Sequence, residues 1–379
     1  MPTEICIVGD DIRPPWNNAS SILAKRLAEC LSPQVKCVIA TVRLEDSTTK
    51  RLPFPEIFVK NGFNHAVSAA RLALAVRRSP ATLVHLIGTN ALVFAPLCRA
   101  VRGKKRILRH VFTSYDRLDS FVRPARLLIN SLYIDAYAFT TPWIGKWAKE
   151  RSPGTRRFLL RPPIDCNFYK PTSQERGSVV PRNSNEFSIL YMGPLFGSRF
   201  PTRSVLGAIK KLTRSGVDVS IAILTSAART TATEADRVIQ LAKELNLEKQ
   251  VLLKRVDLTE KERVEAYNSS DVVIFPFVGP EPERLADPPF GMLEAMACGG
   301  IVLGTEVLSV PEVIQEGITG FLSVTSTVDE IYNGLYRALT SPNKQQVREN
   351  ARLRVLQDFS YERVRHDVLE AYDSLISAK

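Results

Sequence analysis

The stretch Asp287-Pro-Pro-Phe-Gly-Met-Leu-Glu-Ala-Met-Ala-Cys-Gly-Gly-Ile-Val-Leu-Gly304 decides how the rest of the chain is read. The apolar run Val272–Phe275 before it predicts a buried strand, and an irregular segment rich in proline and glycine follows. A helix is then expected to open near Gly291–Met292, and Ile301–Gly304 predicts the next buried strand. Strand, loop, helix and strand form the repeating unit of a parallel sheet. The loop-to-helix step also brings backbone N–H groups and the positive end of a helix dipole to one place, which suits a phosphate. Glu294, expected in the first turn of that helix, is a candidate acceptor for two vicinal hydroxyls such as a ribose presents. A carboxylate there also simply complements the dipole.

The same alternation extends in both directions. Toward the N-terminus, in the first half, strands are expected at residues 4–9, 35–41, 82–87, 106–111 and 136–140, with helices at 20–31, 67–76 and 90–101. Ser20 or Ser21 is the expected N-cap of the first helix. After a segment rich in proline, serine and asparagine, strands are expected at 187–192, 219–224, 251–253, 272–275 and 301–304. Helices are expected at 204–215, 233–245, 260–269 and 292–297, and the last forty residues look helical. The predicted fold class is α/β, with two doubly wound Rossmann-like domains facing a central cleft. The expected boundaries are 1–165 for the first domain, 166–186 for a linker, 187–358 for the second domain and 359–379 for a C-terminal helix that crosses back to the first.

The chain has 379 residues, 45% hydrophobic and 24% charged, which fits two domains of ordinary size. No apolar run reaches bilayer-spanning length, and Met1–Val8 has neither the basic nor the apolar region of a secretory signal. The six cysteines form no Cys-x-x-Cys pair, so a reduced, cytoplasmic protein is expected. All of the net charge of +12 falls in residues 1–165, where 26 Lys and Arg face 12 Asp and Glu. So lopsided a field concerns partners: nucleic acid, an anionic membrane surface or a phosphate-bearing substrate. The turn after the first strand, Gly9-Asp-Asp-Ile-Arg, lacks Gly-x-Gly-x-x-Gly, and no Gly-Lys-[Ser/Thr] loop occurs. A dinucleotide dehydrogenase and a P-loop enzyme are therefore disfavoured. The four histidines show no metal-ligand spacing, and no Gly-x-Ser-x-Gly elbow is present.

Phe290-Gly-Met-Leu-Glu-Ala-Met-Ala-Cys-Gly299, with Pro311-Glu-Val313 and Glu316-Gly-Ile-Thr-Gly320 beyond it, resembles the donor-binding half of the retaining glycosyltransferases of family four, which have the GT-B fold. Arg161-Pro-Pro-Ile-Asp165, with Phe168 and Pro171, is similar to that family's inter-domain segment. Tyr191-Met-Gly193 resembles the opening of its second domain, and Pro14-Pro-Trp-Asn-Asn18 stands in place of its glycine-rich first loop. The resemblance covers essentially the whole chain.

It implies a transferase that moves a sugar from a nucleotide-sugar donor to an acceptor hydroxyl with retention. The family holds the donor diphosphate with a Gly-Arg-x-x-x-x-Lys pattern. Here Pro194 follows Gly193, and Arg199 stands where the lysine would be. Arg199 is the expected neutraliser of the leaving group, its planar fork suiting a phosphate. His110, at a strand end, is expected to contact the donor sugar or the reacting centre. Asn17, Asn18, Gly193, Phe290, Gly291, Met292, Leu293 and Glu294 complete the expected donor site. Of the family's paired glutamates only Glu294 is present; eight residues back stands Ala286, with Asp287 one position off and Glu281 and Glu283 farther away. No metal or other cofactor is expected, since no Asp-x-Asp is placed to hold one.

The basic run Arg99, Arg102, Lys104, Lys105, Arg106, Arg109, Arg117, Arg123 and Arg126 is the expected contact for a glycan or lipid-linked acceptor, or for an anionic membrane surface. A solvated face is the plainer reading. Nucleic acid is not an expected partner, because aromatic residues do not interleave with the run. A nucleotide-sugar epimerase or phosphorylase of the same fold, or an inactive binding protein, are the alternatives.

Overall fold

The computed structural model describes residues 4–10, 12, 16, 18–43, 53–60, 65–87, 105–112, 134–151, 154–172, 180, 186–279 and 286–377. Two compact units divide the chain: Met1–Asp165 together with Asp358–Lys379, and Cys166–Gln357.

The first unit holds strands β1 (Glu4–Asp10), β2 (Lys36–Arg43), β3 (Glu56–Lys60), β4 (Leu83–Ile87), β5 (Arg106–Val111), β6 (Ala136–Phe139) and β7 (Arg156–Leu159). They form one parallel sheet in the order β3-β2-β1-β4-β5-β6-β7. Strand β4 is buried along its whole length, as its unbroken run Leu-Val-His-Leu-Ile requires of a strand covered on both faces. Helices α1 (Ala19–Leu31), α2 (His65–Arg78) and α3 (Pro142–Arg151) belong to this unit. Asn18, rather than Ser20 or Ser21, caps α1: its side-chain oxygen accepts from the Ser21 amide at 2.8 Å. The helix expected at 90–101 lies outside the described residues.

The second unit holds β8 (Phe187–Met192), β9 (Val219–Thr225), β10 (Val251–Arg255), β11 (Val272–Phe275), β12 (Ile301–Thr305) and β13 (Phe321–Ser323). This sheet is also parallel, in the order β10-β9-β8-β11-β12-β13. Its helices are α4 (Thr202–Arg214), α5 (Ala232–Glu244), α6 (Glu260–Ser269), α7 (Phe290–Ala297), α8 (Val310–Val313), α9 (Val328–Thr340) and α10 (Lys344–Phe359), the last of which runs two residues past this unit's boundary. Reciprocal capping boxes start α5 (Thr231 with Glu234) and α6 (Thr259 with Glu262). One continuous core joins the inner faces of β8, β9, β11 and β12 to α4, α5 and α9. Gly334 lets α9 lie on the sheet, since a Cβ there would stand 2.6 Å from Leu303 Cδ1.

The closing helix α11 (Tyr361–Ser377) belongs to the first unit. The amide of Ile164 donates to Phe359 O at 2.7 Å. Tyr361 Oη donates to Glu29 Oε2 at 2.8 Å, and Cys30 Sγ donates to Tyr361 O at 3.1 Å. Apolar side chains Val364, Val368, Leu369 and Leu375 are buried on one face of α11. No described helix is long and apolar enough to cross a membrane.

Candidate active site

In the second sheet the chain starts at β8, continues to one side through β9 and β10, then crosses to β11, β12 and β13 on the other. The direction of winding therefore reverses between β8 and β11. Open parallel sheets bind ligands at such a switch point, outside the carboxyl ends of the strands. Residues 193–201 leave β8 at that edge and are pinned on both sides. The Gly193 amide donates to Leu224 O at 3.1 Å, Leu195 N–H to Thr230 Oγ1 at 3.2 Å, and Val278 N–H, beyond β11, to Ser198 O at 3.0 Å. Tyr191 Oη donates to Pro194 O at 2.6 Å and closes the turn from within.

Arg199 stands on this pinned loop. Its guanidinium carbon lies 5.7 Å from the centroid of Phe196 and 5.6 Å from that of Phe277. Two aromatic faces hold the planar cation at the switch point, so this is not a side chain waving in solvent. Burial lowers its pKa to about 10; the nearby Tyr191 opposes this and Arg229 adds to it. The group stays cationic at neutral pH.

The opening of α7 departs from expectation in three ways. Pro289 is the N-cap, and its carbonyl accepts from Met292 N–H at 3.0 Å and Leu293 N–H at 3.3 Å. Of the expected cradle of four amides, Phe290 to Leu293, those of Met292 and Leu293 are thus taken up inside the helix. Glu294 lies in the second turn, 1% exposed, with Oε2 accepting from Tyr267 Oη at 2.9 Å. It does not hold two oxygens open to a pair of hydroxyls. Asp287, the possible stand-in for the missing glutamate, is fully buried, and its Oδ1 accepts from the Ser309 amide at 3.1 Å and from Ser309 Oγ. It fastens the start of α8. Glu281 and Glu283 lie outside the described residues.

Two expected site residues of the first unit are engaged within the fold. His110 is buried with both ring nitrogens engaged: Nδ1 with His85 Nε2 at 3.0 Å, and Nε2 with Leu160 O at 3.1 Å. His85 Nδ1 in turn lies 2.6 Å from Tyr372 Oη on α11. Burial pushes His110 down to about 4, and burial together with His110 pushes His85 well below its ordinary value. A ring so enclosed has no nitrogen left for a sugar. Asn18 is committed to capping α1, and the left-handed residue of that loop is Trp16, at φ +57°. Asn17 lies outside the described residues.

The basic run divides as well. Lys105 donates to Ser79 O at 2.7 Å and to Ala81 O, Arg106 pairs with Asp135 at 3.4 Å, and Arg109 is buried. These three serve the fold. Arg99, Arg102, Lys104, Arg117, Arg123 and Arg126 lie outside the described residues. Sequence reasoning missed Phe196, Phe277 and Tyr267, which carry no motif; Phe196 is a neighbour of Arg199 on its own loop, whereas Phe277 and Tyr267 reach Arg199 and Glu294 only through the fold.

Residues 180–354 match the family model of the glycosyl transferases group 1. D-inositol 3-phosphate glycosyltransferase of Rhodococcus erythropolis is 23% identical over 222 residues, 58% of this chain and 48% of that protein. The chain thus matches about half the length of this curated relative. Among solved structures, Anabaena HepE in complex with UDP-glucose is similar with a TM-score of 0.78 at 16% identity, over 98% of this chain and 99% of that one. Sucrose-phosphate synthase of Thermosynechococcus elongatus gives 0.77 at 16% identity over the whole of both chains, and a glycosyltransferase of Rickettsia africae 0.76 at 16% identity over 99% of each. The two parallel-sheet α/β units have the GT-B architecture of these structures, and the match to the glycosyl transferases group 1 falls within the second unit.

Proposed function

We propose that the protein transfers a sugar from a nucleotide-sugar donor to an acceptor hydroxyl with retention at the anomeric carbon, and that it needs no metal to do so. The observation that carries this reading is Arg199, held between Phe196 and Phe277 at the switch point of the second sheet. The transition state of such a transfer has oxocarbenium character, and negative charge grows on the departing diphosphate. A cation fixed in advance, half out of water, stabilises that charge without reorganising. The opening amides of α7, at Phe290 and Gly291, add the positive end of a short helix. The neighbour crystallised with UDP-glucose fits a nucleotide-sugar donor. The excess of positive charge in residues 1–165 fits an anionic acceptor, either a phosphate-bearing glycan or a lipid-linked precursor at an anionic membrane surface.

The test is a panel of UDP-, GDP-, ADP- and TDP-sugars assayed for donor hydrolysis and for transfer, with and without EDTA. One donor should turn over equally with and without the chelator, and Arg199→Ala should lower that turnover by about a hundredfold or more. Near-normal turnover by Arg199→Ala refutes the assignment.

A further inference from the structure

If a diphosphate is bound at this edge, one arginine is a thin complement to it, and the residue after Gly193, where the resemblance puts a second cation, is Pro194. The loop after β9 supplies the replacement. Residues 226–231 run alongside the Arg199 loop and are fastened to it through Thr230. Thr230 Oγ1 accepts from Leu195 N–H at 3.2 Å and shares a hydrogen bond with Thr225 Oγ1 at 2.5 Å. Arg255, at the end of β10, donates to Thr230 O at 3.0 Å and holds the loop from its other side.

Arg229 directly precedes Thr230, in a turn closed by its own amide donating to Ser226 O at 3.1 Å. Its side chain is exposed and acts on the Arg199 guanidinium as a like charge. Two cations on loops tied to one another repel. An anion bound at the same edge turns that repulsion into attraction to both, most strongly when it carries two charged phosphates. We propose that Arg229 is the second cation of the diphosphate site, supplied from the β9 loop in place of the residue that follows Gly193. Arg255 is then a positioning residue, since its Nη2 donates to the Thr230 carbonyl. This inference rests on the donor reading above.

Calorimetric titration with UDP, GDP, ADP and the matching monophosphates tests it, using the wild-type chain, Arg199→Ala, Arg229→Ala and Arg229→Lys. Arg229→Ala should weaken the best diphosphate by about tenfold or more and its monophosphate by much less, with Arg229→Lys recovering part of the loss. Without ligand, Arg229→Ala should melt no lower than the wild type, because a like charge beside Arg199 has gone. If Arg229→Ala binds the diphosphate as the wild type does while Arg199→Ala loses it, the inference is overturned and the donor reading stands. Equal losses for mono- and diphosphate with a lowered melting temperature also overturn it, as marks of a structural role. If no nucleoside diphosphate binds the wild type, both readings fall.

Discussion

Replacing His110 by glutamine tests the buried hydrogen-bond chain of the first unit. The Leu160 carbonyl only accepts, so His110 Nε2 carries a proton and donates to it. A neutral His110 then accepts at Nδ1 from His85 Nε2–H, and His85 Nδ1 accepts from the Tyr372 hydroxyl. Every donor has one acceptor, and a further proton on either ring has nowhere to go. The unfolded chain takes up protons as pH falls through 6.5, but folded His110 does so only near 4. The stability it contributes is therefore complete above 6.5 and lost as pH falls toward 4: about 2 kcal/mol by pH 5 and about 3 kcal/mol by pH 4. His85, also held below its ordinary value, acts in the same direction. Glutamine at 110 can donate to Leu160 and accept from His85 without titrating. Its stability should fall by about 2 kcal/mol less than the wild type between pH 7.5 and pH 5. Urea unfolding followed by tryptophan fluorescence reads this unit alone, because Trp16, Trp143 and Trp147 all lie in it. Parallel pH profiles for the two proteins would refute the argument.

Two further outcomes concern the second unit. Tyr267→Phe removes the hydroxyl that donates to buried Glu294 and should destabilise the protein by about 1–3 kcal/mol, measured by circular dichroism during urea unfolding. An unchanged midpoint would mean that Glu294 draws nothing from this contact. Asp287→Ala strips the Ser309 amide and hydroxyl of their acceptor and should cost about 1–3 kcal/mol. Nucleotide affinity should survive it; a selective loss of affinity with stability intact would show instead that Asp287 replaces the missing glutamate.

The strands at the centre of both sheets were legible because burial on two faces demands an unbroken apolar run, as in Phe187–Met192 and Val272–Phe275. Three strands were not: β3, β7 and β13, each at the edge of its sheet. On β3 and β7 the side chains are half-exposed, and Phe58 and the arginines that open β7 break the apolar signal, whereas β13 is buried but only three residues long. Helix α3 was missed for a related reason, its two tryptophans being interleaved with lysines.

The same limit governs the site. The six-residue spacing from Gly193 found Arg199 because a turn after a strand is a local object. The fates of His110 and Glu294 are not local. A histidine at the carboxyl end of a parallel strand stands where catalytic groups stand, and its sequence neighbours are the same whether it faces substrate or core. What decides is Leu160, fifty residues on, and the reach of Tyr372 to His85 across 287 residues. Likewise Glu294 is drawn inward by Tyr267 on a different helix, 27 residues away. A carboxylate or an imidazole takes its role from whichever donor or acceptor the fold brings to it. The arginine needs no such partner to stay charged, so the spacing that the resemblance supplies is enough to single it out for the role proposed above.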